Sequence, residues 1–383
     1  MKPWNFLLLI ALFTVALSSG VAYAHQLPEG FSGFEDPESC KGCHTAIYEE
    51  WAGSMHAKSS KSADPLHAAV HNAFLKSMAA SGKPQSYFCA NCHTPTADNM
   101  AALMKGDAAP DASNPTDARG VTCSFCHKVD GLVEGEKFHS YRVTEGIKGP
   151  SKESTAPHGS SYSEFDASYT MCLGCHGKML NAKGGVVCSM DEEGVSDCLK
   201  CHMNEAQGGP VAGSGKKTHA SHGIFGAHDA ATLRAGAKLD VKMELGKLLV
   251  VLDNPNPHYF PSTNPLRVAY VKVEAFDKDG RQVFANFVKD PSEDPKAMLV
   301  KVFKAGDKVG VPSWDAEGVA KDTRLMPREE RVLIYSLPKE AVKVSAKLFY
   351  RFVPQAAIEK FGITPDGTVE KPQLVAEKEM ELK

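Results

Sequence analysis

The spacing of apolar positions changes twice along this chain of 383 residues. Phe6 to Leu17 is an unbroken apolar run, preceded by Lys2 and followed by small residues ending in Ala22-Tyr23-Ala24. Charge, apolar stretch and A-x-A in that order read as a secretory signal, with cleavage leaving His25 as the first mature residue. The run is too short to span a bilayer. From His25 to about Ala230 the apolar residues come in short patches at helical spacing. Tyr48, Trp51, Met55 and His56 share one stripe. Asp64-Pro65 opens a second, predicted as a capped helix reaching Gly82, with His67, His71, Phe74, Leu75 and Met78 on one face. Gly208-Gly209-Pro210 and Gly213-Ser214-Gly215 mark a loop, after which the period shortens. Leu248–Asp253, Arg267–Phe276 and Arg281–Val288 read as strands, the last two joined by an Asp277-Lys-Asp-Gly280 turn. Met298–Phe303, Arg331–Leu337 and Val342–Tyr350 continue the pattern. The expected organisation is a signal at 1–24, a first domain at 25–230, an antiparallel β-sandwich at 231–353 and a charged, peripheral tail at 354–383.

Composition makes the division physical. Residues 25–230 hold 28 Leu, Ile, Val and Phe among 206, about 14%, whereas residues 231–383 hold 44 among 153, about 29%. An aliphatic content below about 20% ordinarily marks a chain that cannot bury enough apolar surface to fold. Yet the first part lacks the strong net charge of a disordered segment and carries all eleven cysteines. Something other than side chains must fill its core. The net charge of −3 says little about partners, and no basic patch points to nucleic acid.

The cysteines say what the filler is. In order they read Cys40-Lys-Gly-Cys43-His44, Cys89-Ala-Asn-Cys92-His93, Cys123-Ser-Phe-Cys126-His127, Cys172-Leu-Gly-Cys175-His176 and Cys198-Leu-Lys-Cys201-His202. Two thiols three positions apart reach the two vinyl groups of one porphyrin as thioethers, and the adjacent histidine then coordinates the iron. Zinc ribbons pair their C-x-x-C knuckles and need no histidine after each, and five is an odd number. Redox dithiols usually come one per domain, and a disulfide framework would not repeat one spacing so strictly. The motifs imply five c-type haems, iron protoporphyrin IX attached covalently, whose plates replace the missing aliphatic residues. Cys188 is left over and receives no role.

A low-spin electron-transfer haem needs a second axial ligand. Outside the motifs the mature chain offers ten histidines: His25, His56, His67, His71, His139, His158, His219, His222, His228 and His258. One of His67 and His71 is expected to bind iron while the other bonds a propionate or water. His56 shares its stripe with aromatic residues and reads as a ligand rather than a surface histidine. His139 has no such context, and Met203 reads as packing.

Cys40–His44 followed by Tyr48, Glu50-Trp51, Ser54 and His56-Ala57 resembles the first-haem region of the cytochrome c554 family. Phe88–Pro95 and Gly120–Lys128 are similar to that family's next two haem sites, and Gly149-Pro150 with His158 to its distal-histidine segment. Ser221–Asp229 and Asn254–Arg267 resemble larger multihaem relatives, in which a histidine pair precedes a β-domain with an Asn…Gly-His…Pro-Thr-Gly…Arg signature. Here Pro257 replaces the glycine and Ser262-Thr263-Asn264 the Thr-Gly. The resemblance implies a multihaem cytochrome c fold, short helices and irregular backbone around stacked haems, plus the β-domain. It implies His56, His158, His222 and His228 as distal ligands, with His71 or His67 completing the set and His258 as an alternate.

Function follows as an expectation: an exported pentahaem carrier of electrons, periplasmic or extracellular, serving redox proteins or extracellular acceptors. Two alternatives stand beside it. One is a multihaem oxidoreductase acting on a small nitrogen or sulfur compound at an open iron; every motif ends in histidine, so the lysine-ligated haem of pentahaem nitrite reductases is absent. The other is an extracellular filament, in which surplus histidines and the new terminus at His25 let one subunit ligate its neighbour's haem.

Overall fold

A computed structural model describes residues 25–152, 156–190, 197–264, 266–363 and 371–382. The expected signal at 1–24 lies outside the described residues. Up to residue 202 the chain runs through α1 (Glu38–Lys41), α2 (Thr45–Gly53), α3 (Pro65–Ala80), α4 (Ala90–His93), α5 (Met100–Lys105), α6 (Pro115–Ala118), α7 (Cys123–Lys128), α8 (Thr170–His176) and α9 (Cys198–His202). Four of these are little more than the haem motifs themselves, since C-x-x-C-H occupies one turn and a half. Helix α3 follows its sequence signals: Asp64 accepts hydrogen bonds from the Leu66 and His67 N–H groups, and Pro65 sits where no N–H is needed. The first stripe behaves differently. Helix α2 stops at Gly53, so Met55 and His56 lie in the turn beyond it, where the His56 carbonyl accepts the Val121 N–H at 2.8 Å.

Strand structure is sparse here: β1 (Val129–Val133) pairs with β2 (Ser140–Val143), and β3 (Lys148–Gly149), β4 (Ser161–Tyr162), β5 (Met179–Leu180), β6 (Val186–Cys188), β7 (Glu205–Gln207) and β8 (Thr218–Ala220) form three small ribbons. The apolar clusters of this half are small. One gathers Tyr87, Ala90, Ala97, Met100, Leu103 and Met104; another gathers Val121, Phe125, Val129, Tyr141 and Val143.

After α10 (Ala230–Ala235) the architecture changes. Strands β9 (Lys238–Glu244), β10 (Lys247–Asp253) and β17 (Glu330–Tyr335) form one antiparallel sheet in the order β17-β10-β9. A second antiparallel sheet contains β11 (Val268–Phe276), β12 (Gln282–Ala285), β13 (Met298–Leu299), β18 (Lys343–Arg351) and β19 (Gln373–Glu381), and a small third holds β14 (Lys301–Ala305), β15 (Lys308–Val309) and β16 (Gly318–Asp322). The inward residues of the first two, among them Leu248, Val250, Leu252, Val271, Val273, Val344, Ala346 and Leu348, belong to one continuous apolar core. Alternation of buried and open positions along β10 fits a sheet covered on one side.

The segment expected to be a peripheral tail is part of this body. Helix α11 (Gln355–Phe361) buries Ile358, and β19 pairs with β18 from Lys343↔Glu381 to Tyr350↔Gln373. Its charges misled because an edge strand can carry them outward: Glu379 pairs with Lys343 at 2.8 Å while Val375 goes into the core. The two halves are also joined. Trp314 packs edge-on against Phe74 of α3 and at a tilt against Phe361 of α11, and Asn181 donates to the Ser313 and Ala316 carbonyls. Cys188 Sγ lies 2.9 Å from the Thr263 hydroxyl. Among the described residues no helix is long and apolar enough to cross a membrane.

Candidate haem sites

Each motif sits on a helical turn, so its second cysteine and its histidine follow the first cysteine by fixed rotations. What matters is what faces each histidine. Four motif histidines face another histidine ring across a similar gap: His44 and His158 at 6.3 Å between ring centres, His176 and His56 at 6.0 Å, His127 and His222 at 6.3 Å, His202 and His258 at 6.5 Å. Direct stacking would need about 4 Å. An iron held by both rings, with a metal–nitrogen bond of about 2 Å on each side and about 1 Å from nitrogen to ring centre, needs roughly 6 Å. The gaps fit the metal.

Hydrogen bonding prepares six of these eight rings, and His93, for it. His44 Nδ1 lies 2.7 Å from the Pro210 carbonyl, His93 Nδ1 2.9 Å from that of Ser59, His127 Nδ1 2.8 Å from that of Lys148, and His202 Nδ1 2.6 Å from that of Phe225. On the opposing side His158, His222 and His258 do likewise toward Gly159, Ala220 and Tyr259. A carbonyl only accepts, so Nδ1–H donates and the lone pair remains on Nε2, the tautomer a metal requires. Burial reinforces this by disfavouring the charged imidazolium: His56 is held down to about 4, and His93, His127, His176, His222 and His258 are all lowered by desolvation.

Two of the distal candidates stand out. The His228 ring lies 4.2 Å from that of Phe352, where α10 begins against the C-terminal core. His258 takes the place across from His202 despite lacking the glycine of the signature. The loop is fixed instead by Asn254, fully buried, whose side-chain amide donates to the His258 and Met326 carbonyls at 2.8 and 2.9 Å. Arg267 donates to the Phe352 carbonyl and lies over its ring, so it braces the core rather than the porphyrin.

The second motif differs from the other four. The ring meeting His93 is His67, stacked at 3.9 Å and only 2° from parallel, too close to admit an iron between them. His67 Nε2 is already bonded to the Tyr87 hydroxyl at 2.8 Å. His71, one turn further along α3, is 3% exposed and neither ring nitrogen has a hydrogen-bond partner. Burial holds His67 at about 2 and His71 at about 4, so both are neutral.

Sequence reasoning also left the order of the motifs in space open, and the thiols supply it. Cys40 and Cys123, Cys92 and Cys175, and Cys172 and Cys198 lie within hydrogen-bonding reach of one another. Cys126 is near enough to Cys172 and Cys175 to perturb both. The first attachment site therefore adjoins the third, the third adjoins the fourth, and the fourth adjoins both the second and the fifth. Close approach is enforced by small residues: a Cβ on Gly120 would fall 2.2 Å from the His56 carbonyl oxygen.

Comparison with known proteins agrees with this geometry. Residues 39–128, which contain the first three motifs, match the family model described as cytochrome c554 and c-prime. A penta-heme cytochrome c552 from Thermochromatium tepidum is 26% identical and aligns over 91% of this chain and 99% of its own, with a TM-score of 0.74. The comparisons support a multihaem c-type cytochrome whose first three haem motifs match the cytochrome c554 family. The same matches support c-type haems and an electron-transfer class. A hypothetical protein, PH1083, from Pyrococcus horikoshii OT3 (10% identity, 38% of this chain, 87% of its own, TM-score 0.16) and a superoxide reductase (8%, 38%, 85%, 0.17) align too loosely to bear on the cytochrome. No curated protein matches the sequence.

The residues fit the group. The cytochrome offers five thiol pairs, rings at iron-bridging distance with Nε2 available, and a first half whose own apolar clusters are too small to fill it. The thiols of each motif would hold the porphyrin, and its histidine with the opposing ring would hold the metal.

Proposed function

We propose that this cytochrome is an exported pentahaem carrier that passes electrons through five sites, four of them bis-histidine. The observation that carries the reading is the set of four histidine pairs at 6.0 to 6.5 Å. Two strong-field nitrogens leave no open position for substrate, so such a site changes charge without binding anything. A c-type haem supplies a one-electron Fe(III)/Fe(II) centre. The chain's own residues do the rest: His44 with His158, His127 with His222, His176 with His56 and His202 with His258 would hold the irons, and backbone carbonyls fix the tautomer of six of these eight rings. Thiol contacts support a route from the first motif to the third and fourth, with branches to the second and fifth. The C-terminal half is read as a β-sandwich that supplies His258, buttresses α3 through Trp314 and offers a docking surface to redox partners. The haem count by pyridine haemochrome and EPR of the oxidised holoprotein test this. Five haems with at least four low-spin bis-histidine signals support it; fewer than four low-spin centres overturn it.

A second reading, an oxidoreductase acting on a small nitrogen or sulfur compound, is favoured by one observation. His93 meets His67 at stacking distance rather than a partner at axial distance. A high-spin EPR signal that shifts with nitrite, nitric oxide or hydroxylamine and disappears in His93→Ala would support this reading; an unresponsive fifth low-spin signal would end it.

A further inference from the structure

Asp166 is a carboxylate out of place. It lies in the segment between β4 and α8, is 8% exposed, and its carboxylate oxygens make no well-formed hydrogen bond, the Ser163 hydroxyl being the nearest polar group. A buried ionised carboxylate with no partner is costly, and the usual escape is to hold a proton. Its neighbourhood is the apolar cluster of Phe125, Val129, Tyr141 and Phe165, to which Cys126 and Cys175 contribute. Cys126 is itself perturbed by the Asp166 charge, so the carboxylate lies within electrostatic reach of a thiol of the third motif.

The groups that face Asp166 come from four directions. The Ser163 hydroxyl lies on its own segment and accepts the Asp166 N–H at 3.3 Å. Lys148 in β3 favours the ionised form, Asp130 in β1 opposes it, and Cys126 in α7 becomes an uncharged thioether once it bonds a porphyrin. Burial is the largest influence and pushes the carboxyl up to about 7, with Ser163 and Lys148 restraining it and Asp130 adding to it. The group is therefore poised where a modest change in nearby charge alters its protonation.

We propose that Asp166 is a proton acceptor coupled to reduction at the third motif, making electron passage through that site proton-linked. The proposal rests on the haem-carrier reading above. When one electron from the neighbouring fourth site reduces the iron held by His127 from Fe(III) to Fe(II), the added negative charge raises the affinity of the Asp166 carboxylate for a proton. One proton moves from solvent to Oδ of Asp166, and no bond to iron forms or breaks. Charge at the site is unchanged overall, so an electron reaches the interior without leaving uncompensated charge there. By the same linkage, raising the pH through neutrality removes the proton from the oxidised state first and lowers the reduction potential.

Spectroelectrochemical titration of the five-haem holoprotein on both sides of pH 7, combined with reduced-minus-oxidised infrared spectra, tests the idea. One haem potential should fall as the pH rises through neutrality, and a protonated-carboxyl C=O band should grow on reduction. Asp166→Asn should abolish both effects while keeping five haems and the low-spin EPR signals; Asp166→Glu should keep them. Should Asp166→Asn fail to mature, the wild-type infrared band and the Glu variant still decide. An Asp166→Asn protein with unchanged pH dependence, which would place the proton on a propionate, overturns the proposal, as does a wild-type spectrum with no carboxyl band. Loss of haem or of the four histidine pairs in wild type would instead overturn the carrier reading itself.

Discussion

At the level of single residues, the axial ligands separate what chemistry dictates from what topology decides. The proximal histidines were legible because C-x-x-C-H is a local unit in which spacing alone places thiols and imidazole on one turn. Distal ligands were legible only where a local feature betrayed them, such as the aromatic stripe leading to His56. His258 was only an alternate because Pro257 stands where a glycine was expected, yet the buried Asn254 holds its loop from the side. His228 was implied by the resemblance, and its ring packs on Phe352. The contrast is testable. His258→Ala should convert one low-spin EPR signal to high spin at the fifth haem, whereas His228→Ala should leave every low-spin signal in place. Asn254→Ala should broaden or shift the same signal as His258→Ala and cost about 1–3 kcal/mol of stability, since it strips partners from buried carbonyls. Normal spectra in His258→Ala, or a lost signal in His228→Ala, would refute the assignment.

Among secondary-structure elements, the sequence was most readable where a single physical signal was strong. Asp64-Pro65 specified α3, and alternating aliphatic residues specified β10, β11 and β18. It was least readable where a strand contributes few inward residues: β9 turns only Leu239 and Val241 toward the core among Lys, Asp and Glu, and β19 hides Val375 among charges. Those strands form because a paired sheet edge already exists, a cause that no local window contains. Helix α3 carries His67 and His71, so its cap bears on the second haem site. Asp64→Ala should remove two N-terminal hydrogen bonds and cost about 1 kcal/mol, lowering the melting temperature of the holoprotein by a few degrees. A tighter constraint lies between α8 and β2. A Cβ on Gly174 would fall 2.0 Å from the buried Tyr141 ring, whose hydroxyl is held by the Met171 carbonyl at 2.6 Å. Gly174→Ala should therefore destabilise by about 1–3 kcal/mol and disturb the fourth haem's EPR signal, which an unaltered melting curve and spectrum would contradict.

For the molecule as a whole, the unequal distribution of aliphatic residues becomes an argument about which half stands alone. The C-terminal half builds its interior from its own side chains: a continuous cluster running from Leu233 to Val375, with Leu248, Val250, Leu348 and Val353 fully buried. Among the described residues the first half has two small clusters, with Cys89, Cys126 and Cys175 packed against them. Apolar burial at about 25 cal/mol per Å² is the main favourable term in folding, and the first half cannot gather enough of it from protein atoms. Haem attachment should therefore be a folding step there and not in the sheets. Expressed in the cytoplasm without haem-attachment machinery, the chain should yield a protease-sensitive N-terminal half and a resistant core beginning near Ala230. Expressed with that machinery, both halves should resist. Limited proteolysis with mass spectrometry reads the difference directly, and amide exchange should show protection confined to β9–β11 and β17–β19 in the haem-free protein. A haem-free chain protected throughout would mean that side chains alone suffice, and the low aliphatic content of residues 25–230 would then need another explanation.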